Sequence, residues 1–340
     1  KGGSSFKLWN DRGLGLFLGF EGKSLYSNDE SVGTFTRADI AYVEDPSTGL
    51  LTSIATGIPR YPAGKFGRGL LIEAASENIL IHSEEFADIA WTASNVTVAN
   101  NTTETKDPLG TNVAEKCTVT AGDGSLVQTT AVDIGTFNGT FSVWLKTVSS
   151  SADNITLYLK DSAAATLATS TITVTTEWVR YSISYASLIN NTNHWVAVVE
   201  FNNNTNIFYI FGAQLELWPH PTSYIPTVAA SVARAAEVIY YSLTEGISVN
   251  HYQGSFGFWF KPEFAYNNFQ TSEITLIDMV DSGGTYCIRL QLIGSNSKIQ
   301  LEINALTGSA FTFGLAATTL IQNQWNHIVV TYNLLSLGVG

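Results

Sequence analysis

The sequence contains few carboxylates placed where two of them could share acid–base chemistry. Glycoside hydrolysis needs two carboxylates about 5–10 Å apart, and alternate positions of one strand would put them on the same face. Glu84 and Glu85 are adjacent, so on a strand they would point to opposite faces. Gln214 stands where a partner for Glu216 would be needed. A G-x-S-x-G motif and a glycine-rich phosphate loop are also absent. The sequence therefore predicts a protein that is not an enzyme.

Tryptophans beside asparagines are candidates for a different chemistry, the binding of sugars. An exposed aromatic ring can stack on the face of a sugar, and amide side chains can donate to and accept from its hydroxyls. One tryptophan follows the Asn-rich residues 189–194 and another precedes Pro219-His220-Pro221. The alternative is that each ring belongs to a β-sheet core, where Trp and Tyr are common. We predict a carbohydrate-binding site that includes Trp195, Trp218, Asn191 and Asn193.

The composition excludes several classes of protein. The chain has 340 residues, of which 45% are hydrophobic and 14% charged, so it can bury a sizeable core and is not disordered. Its length predicts about two domains. The net charge of -12 disfavours nucleic acid and anionic lipid as partners. No run of about 18 apolar residues is present, so no membrane span is expected.

Two further features bear on processing and on disulfides. The sequence starts at Lys1 and its one methionine is Met279, so we expect a chain that has been cleaved or a sequence that is incomplete. Residues 1–10 lack the apolar stretch of a signal peptide. Cys117 and Cys287 lie about half a chain apart, and we expect two reduced, buried thiols.

Short alternating and β-branched runs, separated by Gly, Asn, Asp, Ser and Thr, predict an all-β protein. A hairpin is expected around residues 41–54, and further strands at 14–21 and 67–73. Gly- and Asn-containing turns are expected at 281–284 and 294–297. The remaining strands are predicted at residues 95–99, 141–146, 154–160, 169–175, 179–185, 195–201, 207–217, 255–261, 273–280, 285–292, 298–303, 310–315 and 326–332.

Four segments resemble laminin-G and concanavalin-A-like jelly rolls, in the order in which that family has them. They are Leu16-Phe17-Leu18-Gly19-Phe20-Glu21, Gly64-Lys65-Phe66-Gly67-Arg68-Gly69-Leu70, Gly254-Ser255-Phe256-Gly257-Phe258-Trp259-Phe260-Lys261-Pro262 and Gln324-Trp325-Asn326-His327-Ile328-Val329-Val330-Thr331-Tyr332. The resemblance implies a lectin-like sandwich. A jelly roll of this family has further strands after the last segment, whereas this sequence stops at Gly340, so we expect the natural chain to be longer or a neighbouring subunit to supply the strands.

A second series of motifs resembles tail-fibre and other virion proteins of bacteriophages, from about Phe35 to Glu237. The motifs are Phe35-Thr36-Arg37-Ala38, Gly69-Leu70-Leu71-Ile72-Glu73 with Glu77-Asn78-Ile79-Leu80, Ser83-Glu84-Glu85-Phe86 with Trp91, Gly212-Ala213-Gln214-Leu215-Glu216, Thr222-Ser223-Tyr224-Ile225-Pro226-Thr227 and Arg234-Ala235-Ala236-Glu237.

Together the two resemblances imply two antiparallel β-sandwiches, one inserted in the other. Residues 1–80 with 228–340 would form a discontinuous concanavalin-A-like jelly roll, and residues 81–227 an inserted sandwich similar to carbohydrate-binding modules. In this arrangement the strands at 14–21 and 67–73 would share a sheet system with the strand at 255–261. The alternative is a tandem order of domains with a small third domain at the N-terminus.

Calcium is a possible cofactor, because lectin-like jelly rolls often bind Ca²⁺ through loop carboxylates and carbonyls. Asp278 and Asp281 are the candidate ligands that the resemblance implies. The alternative is that both simply belong to a hairpin turn.

The resemblances imply a non-catalytic protein of the virion surface, in a tail fibre, a baseplate or a head decoration. Its partners would be copies of itself, other virion proteins and host-cell glycans, without nucleic acid or membrane insertion. Three alternatives remain open: a secreted bacterial carbohydrate-binding protein, a structural virion subunit without a ligand, and a glycan-cleaving enzyme whose catalytic part lies beyond Gly340.

Overall fold

The computed structural model describes residues 18–19, 26–27, 34–45, 48, 50–64, 67–148, 153–186, 190–202, 206–240, 253–262, 273–280, 286–293, 298–304, 310–316 and 320–333. Within them every regular element is a β-strand and every strand pair is antiparallel, so the predicted all-β class is confirmed. In these ranges no helix is long and apolar enough to cross a membrane.

The chain divides into two compact units, which we call the sandwich unit (Leu18–Ser242) and the C-terminal unit (Lys1–Phe17 with Leu243–Gly340). The sandwich unit includes residues 18–80 and 228–242 together with residues 81–227. That residues 1–80 and 228–340 form one jelly roll stays a prediction.

The strands of the sandwich unit are β1 (Leu18–Gly19), β2 (Tyr26–Ser27), β3 (Thr34–Thr36), β4 (Ala41–Asp45), β5 (Leu50–Ile54), β6 (Ala63–Gly64), β7 (Gly67–Arg68), β8 (Ser76–Asn78), β9 (Thr92–Ser94), β10 (Val96–Ala99), β11 (Glu115–Val119), β12 (Ser125–Gly135), β13 (Asn138–Thr147), β14 (Asp153–Asp161), β15 (Thr166–Val174), β16 (Val179–Ala186), β17 (Asn191–Glu200), β18 (Ile207–Glu216), β19 (Val232–Arg234) and β20 (Val238–Tyr240).

Two five-stranded sheets form the sandwich. The open sheet has the order β15-β14-β17-β12-β9, and the covered sheet has the order β10-β11-β18-β13-β16. Alternate residues of both sheets enter one shared core, as expected for strands with one face inward. Leu157 and Val199 of the open sheet and Phe141 and Ile210 of the covered sheet are all fully buried in it.

The outer face of the covered sheet is also buried, because the chain before and after the sandwich packs on it. Trp144 and Phe211 of this face form a second apolar cluster with Leu51 and Tyr224, and Tyr42 packs against that cluster. Strands β13 and β18 are therefore buried on nearly every residue. In the open sheet, β12 and β15 alternate between buried and accessible residues, whereas the central strands β14 and β17 are buried at most positions.

The two ends of the predicted insert lie side by side. The backbone N–H of His82 donates to the carbonyl of Val228 at 2.6 Å, and the N–H of Ser83 donates to the carbonyl of Thr227 at 3.2 Å. Strand β8 pairs with β19 and strand β3 with β20, so the flanking segments also pair with each other. Adjacent ends are the geometry that an inserted domain requires.

The C-terminal unit contains β21 (Gln253–Phe260), β22 (Glu273–Val280), β23 (Tyr286–Ile293), β24 (Lys298–Asn304), β25 (Ala310–Ala316) and β26 (Asn326–Asn333). Strands β22 to β25 form a meander, and β21 pairs with β26. The ribbon and the meander share apolar clusters, in which Phe260 packs against Leu292 and Phe256 against Ile288 and Ile303. The unit is thus built of two packed β-layers.

Most predicted strands are confirmed within two to four residues, and the hairpin at residues 41–54 is β4 and β5. The strand expected at residues 67–73 is wrong: only Gly67–Arg68 is a strand, and Leu71 makes a single bridge to Arg60. Among the described strands Gly67–Arg68 pairs with β6 and β21 pairs with β26, so the expected shared sheet is not formed there. Of the strand at 14–21 only Leu18–Gly19 is described, and both turns, at 281–284 and 294–297, lie outside the described residues.

Candidate functional site

The motifs that resemble phage proteins meet in one buried polar network. We call its charged centre the arginine–glutamate cluster: Arg37, Arg60, Arg234, Glu73 and Glu237. All five side chains are at most 9% exposed. They come from the segments before and after the sandwich and tie these segments together.

Arg37 and Arg60 use all of their donors. Arg37 donates to Glu237 and to the carbonyls of Asp39, Ile54, Ala55 and Ile58. Arg60 donates twice to Glu237, once to Glu73, and to the Tyr42 carbonyl and the Ser223 hydroxyl. Since a guanidinium has five N–H groups, neither of these two residues has a donor left for a ligand, and we interpret their role as structural. Arg234 is different, because its buried Nε has no hydrogen-bond partner among the described residues.

The carboxylates of the cluster are equally occupied. Burial alone would raise the pKa of Glu73, but the guanidinium groups of Arg234 and Arg60 outweigh it and the pKa lies below its ordinary value. Glu237 accepts from Arg37 at 2.7 Å and from the Glu73 amide at 2.9 Å. Both glutamates thus accept hydrogen bonds from buried guanidinium groups in the interior.

Glu216 is buried beyond the reach of a substrate. It is 0% exposed and accepts from Thr222, Ser76 and Gln214. Burial raises its pKa above the ordinary value, against the lowering effect of the Arg180 guanidinium. Gln214 and Glu216 do share a face, as the sequence indicated, and that face is covered.

The expectation that Trp195 is exposed is wrong. Its side chain is 0% exposed, belongs to the core between the two sheets, and contacts Tyr185 edge-on with ring centroids 6.2 Å apart. Its ring packs on Gly139 of the opposite sheet, where a Cβ would lie 2.6 Å from the ring atom Cζ3. Trp195 therefore cannot stack on a sugar without unfolding of the core.

Asn191 and Asn193 are half-buried and hold the start of β17 in place. The Asn191 side-chain oxygen accepts from the backbone N–H of Asn193 at 2.9 Å, and the side-chain Nδ2 of Asn193 donates to Asp161 at 2.8 Å. The hydrogen bond from Asn193 is the main cause that lowers the pKa of Asp161. The structure does not bring these two residues together with an exposed tryptophan, and their role in binding stays a prediction.

Trp218 is partly accessible to solvent and lies beside a pocket. It is half-buried beside a pocket of about 290 Å³ lined by Ala75, Ser76, Glu77, Ile79, Leu217, Trp218 and Ala233. This volume is close to the lower end of ligand pockets, which is about 300 Å³. Its Nε1 donates to the Ala75 carbonyl at 3.0 Å, which fixes the indole plane.

Two neighbours of Trp218 were not identified from the sequence. Glu77 is exposed on β8, where it pairs with Ala233 of β19. The His220 ring lies 6.3 Å from the Trp218 ring. Burial lowers the pKa of His220 from 6.5 to about 4, so the imidazole beside the indole is neutral at physiological pH. The alternation of inward and outward positions along Ser76-Glu77-Asn78 could have predicted that Glu77 faces outward. Nothing in the nearby sequence predicts that Glu77 pairs with residue 233.

The outer face of the open sheet is a second candidate surface. Across it run two rows of paired residues, Thr171–Thr156–Glu200–Ser125 and Thr169–Tyr158–Val198–Val127. Its aromatic ring is already engaged: the Lys160 ammonium lies 4.5 Å from the ring centroid of Tyr158, and the Tyr158 hydroxyl donates to Glu200 at 3.1 Å. This face offers hydroxyls but leaves less of its ring for stacking than the Trp218 pocket does.

The calcium ligands remain a prediction. Asp278 lies on strand β22, is exposed, and accepts from Arg289 at 2.9 Å. Asp281 lies outside the described residues. Among the residues that the structure describes, no group of three His, Cys, Asp or Glu side chains could hold a metal ion.

No protein-family model and no curated protein sequence matches the chain. Solved structures similar to part of it include the CBM22-1 xylan-binding domain of Paenibacillus barcinonensis Xyn10C, at 16% identity and TM-score 0.32 over 44% of this chain and 100% of that one. TmCBM61 in complex with β-1,4-galactotriose has 14% identity and TM-score 0.28, over 37% and 88%.

The enzymatically active domain of bacteriophage CBA120 tailspike protein 4 is also similar, at 14% identity and TM-score 0.32 over 41% of this chain. The chain spans only 21% of that tailspike's length. At these scores the likenesses do not assign the chain to a family or an activity.

Proposed function

We propose that the chain is a non-catalytic protein of a bacteriophage virion surface that attaches to host-cell glycans through the Trp218 pocket. The observation that carries the proposal is that the half-buried Trp218 indole lies beside a pocket that the exposed carboxylate residue Glu77 also lines. The motifs between Phe35 and Glu237, which resemble those of phage tail fibres, support the place in a virion.

Binding would be non-covalent. The Trp218 ring would stack on the apolar face of a sugar, while the Glu77 carboxylate accepts from its hydroxyls. Because the indole plane is already fixed by the Ala75 carbonyl, little side-chain entropy is lost on binding. One shallow pocket gives modest affinity, so we expect many copies in a symmetric oligomer to supply avidity.

Burial of two of the carboxylates, those of Glu216 and Glu237, supports a role without catalysis. Glu216 and Glu237 are at most 4% exposed and are engaged by protein donors. A measured release of reducing sugar by this chain would contradict the proposal and favour a glycan-cleaving enzyme.

The test is binding to a panel of bacterial surface polysaccharides, with Trp218→Ala compared against Trp178→Ala. Trp178 is a matched control, because it is also half-buried and its Nε1 also donates to a backbone carbonyl, that of Lys106, at 2.6 Å. We expect saturable binding that W218A weakens about tenfold or more and W178A leaves unchanged. Equal loss in both variants would contradict a site at Trp218.

Two outcomes favour the other candidates. No binding by a well-folded oligomer would indicate a structural virion subunit without a ligand. Binding by a chain that stays monomeric would favour a secreted bacterial carbohydrate-binding protein. If a chelator abolishes binding, and if the variant Asp281→Ala does not bind either, the results would support Asp281 as a calcium ligand.

A further inference from the structure

A tryptophan on the C-terminal unit is exposed in a way that the proposed pocket does not explain. The ribbon of β21 and β26 buries Tyr332 and half-buries Phe256, Val330 and Phe260 against the meander. Its other face is exposed and carries four cross-strand pairs, namely Gln253 with Asn333, Ser255 with Thr331, Gly257 with Val329, and Trp259 with His327.

Trp259 is held in place although it is 53% exposed. Its ring stacks on His327 with centroids 4.6 Å apart and planes 20° from parallel. A stacked neighbour restricts the rotamers of the indole, so a ligand that binds the outer ring face loses little conformational entropy. Val329, at 62% exposure, extends the apolar surface along the ribbon.

Gly257 keeps the middle of this face low. A Cβ at residue 257 would lie 3.3 Å from the Ile328 carbonyl oxygen and at ordinary contact distance from Val329 Cγ2, 3.4 Å, and His327 Nε2, 3.6 Å. The hydroxyl residues Ser255 and Thr331 follow on the far side of the glycine. Since a strand rises about 3.4 Å per residue, the three pairs from Ser255 to Trp259 extend over roughly 14 Å.

We propose that this face is a second glycan-binding site, which takes a neutral oligosaccharide lying along the ribbon from Trp259 to the Ser255 and Thr331 hydroxyls. The eight residues include no carboxylate and no ammonium group, and the chain carries a net charge of -12, which disfavours acidic sugars. A stable protein interface uses about 20–30 residues a side, whereas this face of the described ribbon offers eight. The inference does not rest on the Trp218 pocket.

The experiment follows the indole N–H signals of the eight tryptophans by NMR of the full chain. Trp259→Phe assigns the Trp259 signal. Xylohexaose, maltohexaose and β-1,4-galactotriose are the neutral probes, and oligogalacturonate is the acidic one. We expect at least one neutral probe to shift the Trp259 signal saturably and oligogalacturonate to leave it unchanged.

Variants separate the two sites. Trp259→Ala should weaken the binding of the responding probe about tenfold. Trp218→Ala should leave the Trp259 response intact. If neutral probes shift only Trp218, the proposed function stands and this inference is wrong; if they shift only Trp259, the reverse holds.

Two further results would overturn the inference. One is a Trp259 signal that no neutral probe shifts. The other is a change in sedimentation coefficient of W259A, which would show that the face is a contact between copies of the chain.

Discussion

Glu115 is the residue whose burial has the clearest energetic consequence. It is 2% exposed on β11, and its carboxylate accepts from the Ala87 amide at 2.9 Å. Burial raises its pKa from 4.5 to about 7, against the lowering effect of the amides of Ala87 and Phe86. The folded state therefore holds this proton more tightly than the unfolded state does.

We expect the free energy of unfolding to fall as the pH rises from about 4.5 to about 7, because the unfolded chain releases the Glu115 proton first. Glu115→Gln should remove this part of the dependence and make the protein more stable than wild type at about pH 8. The measurement is urea unfolding on both sides of this range, with the exposed Glu177→Gln as the control. An E115Q variant with the pH dependence of the wild type would contradict the assignment.

Trp195 and Trp218 show what the sequence could and could not decide for single residues. Trp195, Ala197, Val199 and Phe201 occupy alternate positions and are all fully buried, so the period of two, applied strictly, would have placed Trp195 inside. For Trp218 the position after a strand indicated accessibility. The pocket itself depends on Ala75 and Ala233, which local sequence could not bring together.

Strand β18 requires a glycine at position 212, because both the backbone conformation and the neighbouring rings exclude a side chain there. Its φ is +64°, and a Cβ there would lie 2.9 Å from the Trp144 ring and 3.2 Å from the Tyr224 ring. The pairing of β13 with β18 shifts register at this point, between Ser142 and Trp144. The glycine thus forms the bulge that lets two aromatic rings pack over the covered sheet.

Gly212→Ala should therefore destabilise the sandwich unit. A non-glycine residue in this backbone region costs about 1–3 kcal/mol, and displacement of the two rings adds to it. Gly57→Ala is the control, since residue 57 also has positive φ, +69°, but a Cβ there would meet nothing within 4 Å. Thermal unfolding of both variants measures the difference, and equal loss would contradict a role for the ring contacts.

The arginine–glutamate cluster connects short strands that are weak alone. Glu237→Gln would leave Arg37 and Arg60 with less compensating charge in the interior, and we expect a loss of about 3–5 kcal/mol. Glu77→Gln, on the exposed side of β8, should cost less than about 0.5 kcal/mol. Denaturant unfolding distinguishes them; a small loss in E237Q would mean that water reaches the cluster.

At this scale the sequence predicted local elements well and long-range pairing poorly. The period of two identified β13 to β18 and β21 to β26, because it reports which face of a strand is buried. The strand expected at residues 67–73 was wrong because the same residues serve the cluster: Glu73 faces Arg60 and Ser223 instead of a neighbouring strand. The partner of Arg37 is 200 residues away, which no local pattern specifies.

For the molecule as a whole, the flanking segments and the sandwich form one folding unit. Leu51, from the segment before the sandwich, packs with Trp144 and Phe211 on the covered sheet. A buried surface shared in this way makes unfolding of the two parts cooperative.

Leu51→Ala and Leu157→Ala should consequently shift the same unfolding transition, each by about 2–5 kcal/mol. Leu51 is in the flanking segment and Leu157 is in the sandwich core. Fluorescence and far-UV circular dichroism recorded on both variants check this. A separate early transition in L51A alone would show that the flanking segments unfold independently.

The arginine–glutamate cluster also determines what the phage-like motifs can tell about distant relatives. Phe35-Thr36-Arg37-Ala38, Gly69-Leu70-Leu71-Ile72-Glu73 and Arg234-Ala235-Ala236-Glu237 supply buried groups to one cluster. None of their residues lines the Trp218 pocket. We expect a chain that carries all three motifs to form the same arginine–glutamate cluster between its flanking segments. What that chain recognises is left open, since the residues around the indole can diverge without loss of any of these ion pairs. These three motifs therefore indicate a shared scaffold, and the ligand has to be sought in the residues that line the pocket.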